Sequence, residues 1–501
     1  MTSVKKVTPG GYMTVYLALT VTVIMALCLA LIEGCRYRGI SLETECVMDI
    51  GMDSILAEYH RELQKQYNLF AIDCSYGTES ASIKLTESHL LEYMNRNFSL
   101  EDVFLEKLLY RDFFAVQAEE AQAVKAAFLT DGEGEVFRRV AVDAIEDTVG
   151  IGLLQQLADW LQVIESRGLE QQDIAGQKQQ IDAQIQEYDG KETTEGKTVH
   201  IENPTAALEE KRNKGLLKLV TEEDNISSRR IETESLLETR MERGEINRGN
   251  LVPGTAENYE EWEALKQKVF FHEYLLRYLG RYGQEKQDSP LWYQTEYVIV
   301  GKDNDTDNLK GIVNRIFVIR EAANTMYLTG SEEKRAIAEL LGEALAAALM
   351  VPEIGELFAA TLILGWAFAE SIYDVKEILA GGKVPLLKED DTWHDGLSSA
   401  LLGELAEAVG EESGETQGMG YEDYLRIFLL LCEKSTLTWR TMNVVEMDIR
   451  NTPGNGAFRL DACIVEIAMN VKVKSKYGYS FEIERQKSYI EPLEAIENTG
   501  N

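Results

Sequence analysis

The chain has 501 residues, of which 45% are apolar and 9% aromatic; this excludes a disordered polypeptide and leaves material for two or three domain-sized units. Its 85 acidic against 50 basic residues give a net charge of −35, which argues against nucleic acid as a partner and against close approach to an anionic leaflet. Cysteine is sparse, with no CxxC or Cys/His spacing suited to zinc.

Residues 1–11 form a short basic leader carrying Lys5 and Lys6. From Tyr12 to Ile32 the chain runs 21 residues without a charge or a proline. As a helix this spans about 30 Å, the hydrocarbon thickness of a bilayer. A secretory signal has a shorter apolar core, about 7–15 residues, and a small-x-small cleavage site. Here the run ends in Ile32-Glu33-Gly34-Cys35-Arg36, which offers none. Residues 12–32 therefore read as a retained transmembrane helix. Lys5 and Lys6 before it nearly balance Arg36 and Arg38 after it, so the positive-inside rule decides little. The acidic remainder decides for a cytoplasmic N-terminus and an extracellular C-terminal domain in the cell membrane.

Residues 33–169 read as a stalk helix and the first part of the ectodomain. In "DSILAEYHRELQKQY" the positions Ile55, Leu56, Tyr59, Leu63 and Tyr67 recur at helical spacing, predicting an amphipathic helix soon after the span. "NLFAID" predicts a short strand ending at Asp73, and the pattern from Leu85 to about Leu169 predicts helices. Residues 170–260 are polar and Gln-rich, with Ile174, Ile181 and Ile185 as isolated apolar points, and read as a mobile helical segment.

Residues 261–501 read as an α+β ectodomain core. An aromatic-rich helix over 258–283 precedes "LWYQTEYVIVG", whose β-propensity predicts a strand. A helical block follows from Asn308 to about Leu379. Within it Leu357–Ala369 is apolar, but 13 residues are too few to cross a bilayer, so this is a buried core helix. After a Gly/Pro loop and an amphipathic helix at "YEDYLRIFLLLCEK", the period changes to two. Ile467, Met469, Val471 and Val473, then Tyr479, Phe481 and Ile483, predict a hairpin with one buried face. With strands near Phe70 and Tyr297 it would form one antiparallel sheet. The fold class is α+β: an N-terminal transmembrane helix and a mainly helical ectodomain with a small antiparallel sheet that includes the C-terminal hairpin.

Catalytic signatures are missing from the sequence. His60, His89, His200, His272 and His394 are scattered without an HExxH, there is no G-x-S-x-G, and "AGGKVPLL" lacks the pattern of a phosphate-binding loop. Asp303, Asp305 and Asp307 match the first three ligand positions of a calcium loop. Asn308 stands at the turn glycine and Asn314 at the final glutamate, so an Asx-rich turn capping the next helix is the stronger reading and calcium a weak candidate. Cys432 and Cys463 are the pair to test for a disulfide, with free buried thiols the alternative. No enzymatic activity and no cofactor is expected.

Gly10-Gly11, a hydrophobic helix closed by Glu33 and Arg36, and "AEYHRELQKQYNLFAID" together resemble the TadE/TadG-like proteins associated with Tad (Flp, type IVc) pili. More narrowly they resemble a large family of Gram-positive bacteria encoded near Tad secretion genes. "TEYVIVGKDNDTDNLK", "GWAFAESIYDVKEILAGGKVPLLKEDDTW", "YEDYLRIFLLL" and "FRLDACI" share that resemblance. It implies a single-pass, pilin-like or accessory component of a Tad-type pilus or secretion apparatus, whose partners are the bilayer and other pilin-like or pilus assembly proteins. Gly10 and Gly11 would then mark the leader cleavage site, but Tyr16 stands where pilins carry Glu, which predicts an uncleaved or inefficiently cleaved leader. The alternative from another class is a membrane-tethered envelope hydrolase or ligand-binding domain.

Overall fold

The computed structural model describes residues 10–78, 81–99, 114–145, 151–191, 198, 200–221, 226–232, 236–237, 261–389, 392–394, 396–397, 418–475 and 481–489. The chain folds as two compact units, one made of Met1–Phe137, Arg243–Ala256 and Gly454–Asn501, the other of Arg138–Glu242 and Glu257–Pro453.

The first unit begins with α1 (Gly10–Leu56), a single helix of 47 residues. The expected separate stalk helix is therefore corrected: span and stalk are continuous. The break comes only at residues 57–60, where His60 caps α2 (Arg61–Tyr67) by accepting the Leu63 amide through Nδ1 at 3.2 Å. Beyond Gly39 the buried positions of α1 are Ile40, Thr44, Val47, Met48, Gly51, Met52 and Ile55, a stripe at helical spacing. They pack with Leu90, Met94 and Phe98 of α3 (Ile83–Phe98) and with an antiparallel sheet. Burying each such side chain contributes about 1.5–3 kcal/mol.

The sheet comprises β1 (Ile72–Asp73), β2 (Val116–Phe128), β3 (Cys463–Ser475) and β4 (Glu482–Tyr489). β3 pairs with all three others: Ile72 faces Ile464, Val116 faces Ser475, and Val473 faces Ile483. The strand at "NLFAID" forms, and β3 and β4 are the two arms of the expected C-terminal hairpin; Tyr479 and the turn between the arms lie outside the described residues. β2 does not fit the helical pattern predicted for 85–169. Its composition, "VQAEEAQAVKAAF", favours helix, but its burial alternates and slips phase at Glu119-Glu120, where the register with β3 also shifts. Asn95 of α3 exchanges two hydrogen bonds with the Ala118 backbone (2.9 and 3.1 Å) and Glu87 accepts the Ala123 amide at 2.9 Å, so α3 satisfies groups beside two of the three register shifts, at Ala118/Glu120 and Ala123/Lys125.

The second unit is helical. In chain order it holds α4 (Asp131–Asp143), within which the division of the chain falls, α5 (Ile151–Ser166), α6 (Ile174–Gln186), α7 (Ala206–Asn213) and α8 (Leu216–Val220). Then come α9 (Glu261–Tyr278), α10 (Gln294–Val300), α11 (Asp305–Gly330), α12 (Glu332–Ala348), α13 (Gly355–Leu379), α14 (Tyr421–Leu431) and α15 (Lys434–Arg450). α13 is the core helix, as its sequence predicts: 83% of its apolar window is buried.

The strand expected at Tyr297 is the helix α10. Gln294 to Ile299 are all buried, so packing on every side overrides the β-propensity of "YVIV", and Gly301 at φ 79° closes the helix by donating its amide to Tyr297 O. The hairpin consequently joins the N-terminal helices, in the first unit, and not the 261–453 block.

Candidate functional site

The first candidate site is the front of α1. Every large apolar side chain from Tyr12 to Ile32 is exposed, from 49% at Val21 to 78% at Tyr12, whereas a soluble helix would bury one face. Two threonines of this stretch bond back to the helix: Thr20 Oγ1 donates to Leu17 O at 2.9 Å and Thr22 Oγ1 to Ala18 O at 2.5 Å. Such self-satisfaction is what a hydrocarbon surrounding demands. The residues thus make an N-terminal apolar helix of membrane-spanning length. Gly10 and Gly11 are the first residues of α1, so the proposed leader junction lies in helical chain.

Glu33 and Arg36 are brought together and onto the first unit. Arg36 Nη1 lies 3.4 Å from Glu33 Oε2, while Nη2 donates to Ser475 Oγ and, at 3.5 Å, to Phe114 O. Phe114 itself packs on Gly39, where a β-carbon would stand 2.5 Å from its Cζ, so the glycine lets the segment before β2 lie against the helix.

The other predicted positions are spent locally. Asp303 pairs with Arg230 (2.6 Å), Asp305 accepts Ser227 Oγ at 2.5 Å and the amides of Trp292 and Tyr293 at 3.0 and 3.1 Å, and Asp307 accepts Asn304 Nδ2 at 2.9 Å. Asn304 caps α11 through the Asp307 amide, as the Asx-turn reading predicts. Asn304 Nδ2 donates to both Asp303 Oδ1 and Asp307 Oδ2, at 2.9 Å each, while Asp305 is turned to Ser227 and the Trp292 and Tyr293 amides, so the three carboxylates do not converge as calcium ligands. Among the described residues no three His, Cys, Asp or Glu side chains cluster as a metal site. Cys432 and Cys463 form no disulfide and belong to different units, so the expected pair is not joined; Cys432 Sγ lies 3.9 Å from Ile299 O and Cys463 Sγ 3.4 Å from Arg459 O.

Sequence reasoning passed over a second site, a pocket of 360 Å³ in the helical unit lined by Arg281, Tyr282, Lys383, Tyr421, Glu422 and Arg426 among others. Behind its tyrosines lies Glu296 of α10, fully buried. Tyr421 Oη donates to Glu296 Oε1 at 2.6 Å and the Tyr282 amide donates at 2.9 Å, while Oε2 meets no hydrogen-bond partner among the described residues. Burial pushes this carboxyl up to about 7, against the hydrogen bonds from Tyr421 and Tyr282, which favour its ionised form. Glu296 thus changes protonation near neutral pH, while burial and the neighbouring Glu296 push the Tyr421 phenol up and keep it protonated. The signal was present in the sequence as a lone acid inside the apolar run "LWYQTEYVIV".

A family model described as "Family of unknown function (DUF5702)" matches residues 194–475, more than half of the chain. No curated protein and no solved structure matches it.

Proposed function

This chain belongs to DUF5702, a family of unknown function, and on that premise we propose that it is a non-enzymatic, single-pass membrane protein serving as a pilin-like or accessory component of a Tad-type pilus or secretion apparatus. The observation that carries the reading is the continuity of α1. Its front half presents an unbroken apolar surface, and its rear half is core of the sheet unit. Cleavage after residue 32 would cut within a helix and release the part that anchors nothing. Retention instead couples the membrane segment rigidly to the sheet.

The N-terminus is cytoplasmic and the chain after residue 33 lies outside, where the acidic excess of the protein, −35 overall, meets no anionic cytoplasmic leaflet. In the bilayer the helix docks against other pilin-like helices through Ala18, Thr20, Thr22 and Ala26, whose small side chains permit close approach. A photo-cross-linker placed at Ala18 or Ala26 in native membranes is expected to capture another single-span protein or a second copy. Adducts to lipid alone would overturn the docking.

A second reading, a ligand-binding domain tethered to the envelope, is favoured by the Tyr282–Tyr421 pocket with Glu296 behind it. Envelope fragments that quench Trp fluorescence in the wild-type chain but not in a Tyr421→Ala variant would support it; equal responses would remove it.

A further inference from the structure

The helical unit buries four charges that the proposed function does not use. Arg320 of α11, Glu370 and Asp374 of α13, and Lys388 of the strap that follows α13 have side chains no more than 1% exposed. Arg320 Nε and Nη2 donate to Asp374 Oδ2 at 3.0 and 2.8 Å, and Asn324 Nδ2 donates to the same oxygen at 2.8 Å. Arg320 Nη1 holds the strap through Pro385 O (2.7 Å) and Leu386 O (3.1 Å). Lys388 Nζ touches Glu370 Oε1 and lies 2.6 Å from Asp374 Oδ1. The amide of His394 donates to both oxygens of Glu370, at 3.1 and 3.2 Å. Trp393 and Tyr373 wall the ammonium, their ring centres 5.5 and 5.9 Å from Nζ.

We propose that Lys388 and Asp374 join in an intramolecular isopeptide bond, with Glu370 relaying a proton. The lysine amine, the carboxyl carbon and a second carboxylate share one dry, aromatic-walled site, and fixed N–H donors face the oxygen on which charge would build. Lys388 gives one ammonium proton to Glu370, which passes it to Asp374 Oδ1, and the freed Nζ lone pair attacks the now neutral carboxyl at Asp374 Cγ. Negative charge collects on Oδ2, where Arg320 and Asn324 donate. Oδ1, already protonated, takes a second proton from Nζ through Glu370 and leaves as water; Oδ2 becomes the amide carbonyl, and Glu370 ends as carboxylate. One ammonium and one carboxylate become one amide and one water, with no oxidant or further reactant.

The electrostatics favour this course. Holding an ammonium and a carboxylate away from water is costly, and the amide removes one such pair while Arg320 and Glu370 remain to balance each other. The product fixes the strap covalently to α13, while Arg320 of α11 keeps its hydrogen bonds to Pro385 O and Leu386 O, so the strap would resist being pulled off the two helices.

The test is intact-mass measurement and peptide mapping of the full-length protein. The expected result is a mass lower by one water and a branched peptide joining the segments that hold Asp374 and Lys388. Lys388→Met and Glu370→Gln chains are expected at full mass with linear peptides. Wild-type protein at full mass, with both segments recovered linear, overturns the proposal even if neither variant folds. A water-deficient chain whose branch joins other residues overturns it equally.

Discussion

Arg36, as α1 leaves its apolar stretch, donates a hydrogen bond to Ser475 Oγ at the last position of β3, 439 residues further along the chain. The same guanidinium reaches Phe114 O and pairs with Glu33, so one side chain ties the turn of the helix that follows its apolar stretch to the end of β3 and the segment before β2. Replacing Arg36 by Ala removes these bonds from a group whose side chain is 11% exposed. Hydrogen bonds to charged groups are worth about 1.5–3 kcal/mol, and a loss of that order is expected in chemical denaturation followed by a probe in the sheet unit. Arg36→Lys should recover little of it, because an ammonium cannot present the planar fork that meets three acceptors.

Glu296 makes the helical unit sensitive to pH. Unfolded, it ionises near the ordinary glutamate value; folded, burial keeps it protonated up to about 7. The unfolded state therefore sheds the proton first as pH rises. The stabilisation from the raised value is complete below the ordinary range and is lost as pH climbs through 7. Glu296→Gln removes this dependence, so the variant should gain on the wild type between pH 4.5 and 7 and level off at of order 3 kcal/mol. Denaturation midpoints of both chains across that window measure the effect. A parallel pH dependence in the two would count against a protonated Glu296.

The contact between α12 and α13 rests on Gly342. A β-carbon there would stand 2.6 Å from the Ala359 nitrogen and 2.7 Å from Gly355 O, both backbone atoms that cannot yield without moving a helix. Gly342→Ala should therefore destabilise by about 1–3 kcal/mol, as overpacking does. Gly330→Ala, with open space around the same position at the end of α11, should be neutral or slightly stabilising. Thermal melts of the pair distinguish a packing constraint from a general cost of replacing glycine.

Several elements were legible because their physics is local. The uncharged run over 12–32, the period-two alternation around Met469 and Val471, and the acids that fence Leu357–Ala369 each point one way. The failures were tertiary. "VQAEEAQAVKAAF" is built of helix formers, and only the alternate burial of Val116, Ala118, Ala121 and Ala123 against β3 makes it a strand. "QTEYVIV" is built of strand formers, yet it is enclosed on all sides as α10. In the candidate sites, Glu33 and Arg36 could be named from the sequence, but Ser475 could not, since the fold alone brings it to Arg36. Asp374 and Lys388 lie near each other in sequence, yet their burial depends on Arg320 from another helix.

The burial of α13 carries a further expectation. A chain begun at residue 36, lacking the exposed apolar stretch, should remain in solution without detergent, because Phe358, Leu362 and Phe368 are at most 3% exposed within their own unit. Sedimentation of that fragment checks it; a requirement for detergent would point to a second membrane segment.

The account turns on whether the front of α1 stays attached to the sheet unit in the mature protein. Mass spectrometry of the protein extracted from carbonate-washed native membranes addresses this most directly. The predicted result is a membrane-embedded species that contains residues 12–32 contiguous with the rest of the chain, beginning at Met1 or near Gly11. A mature form that begins after residue 26, recovered from the medium and absent from the membrane, would contradict it.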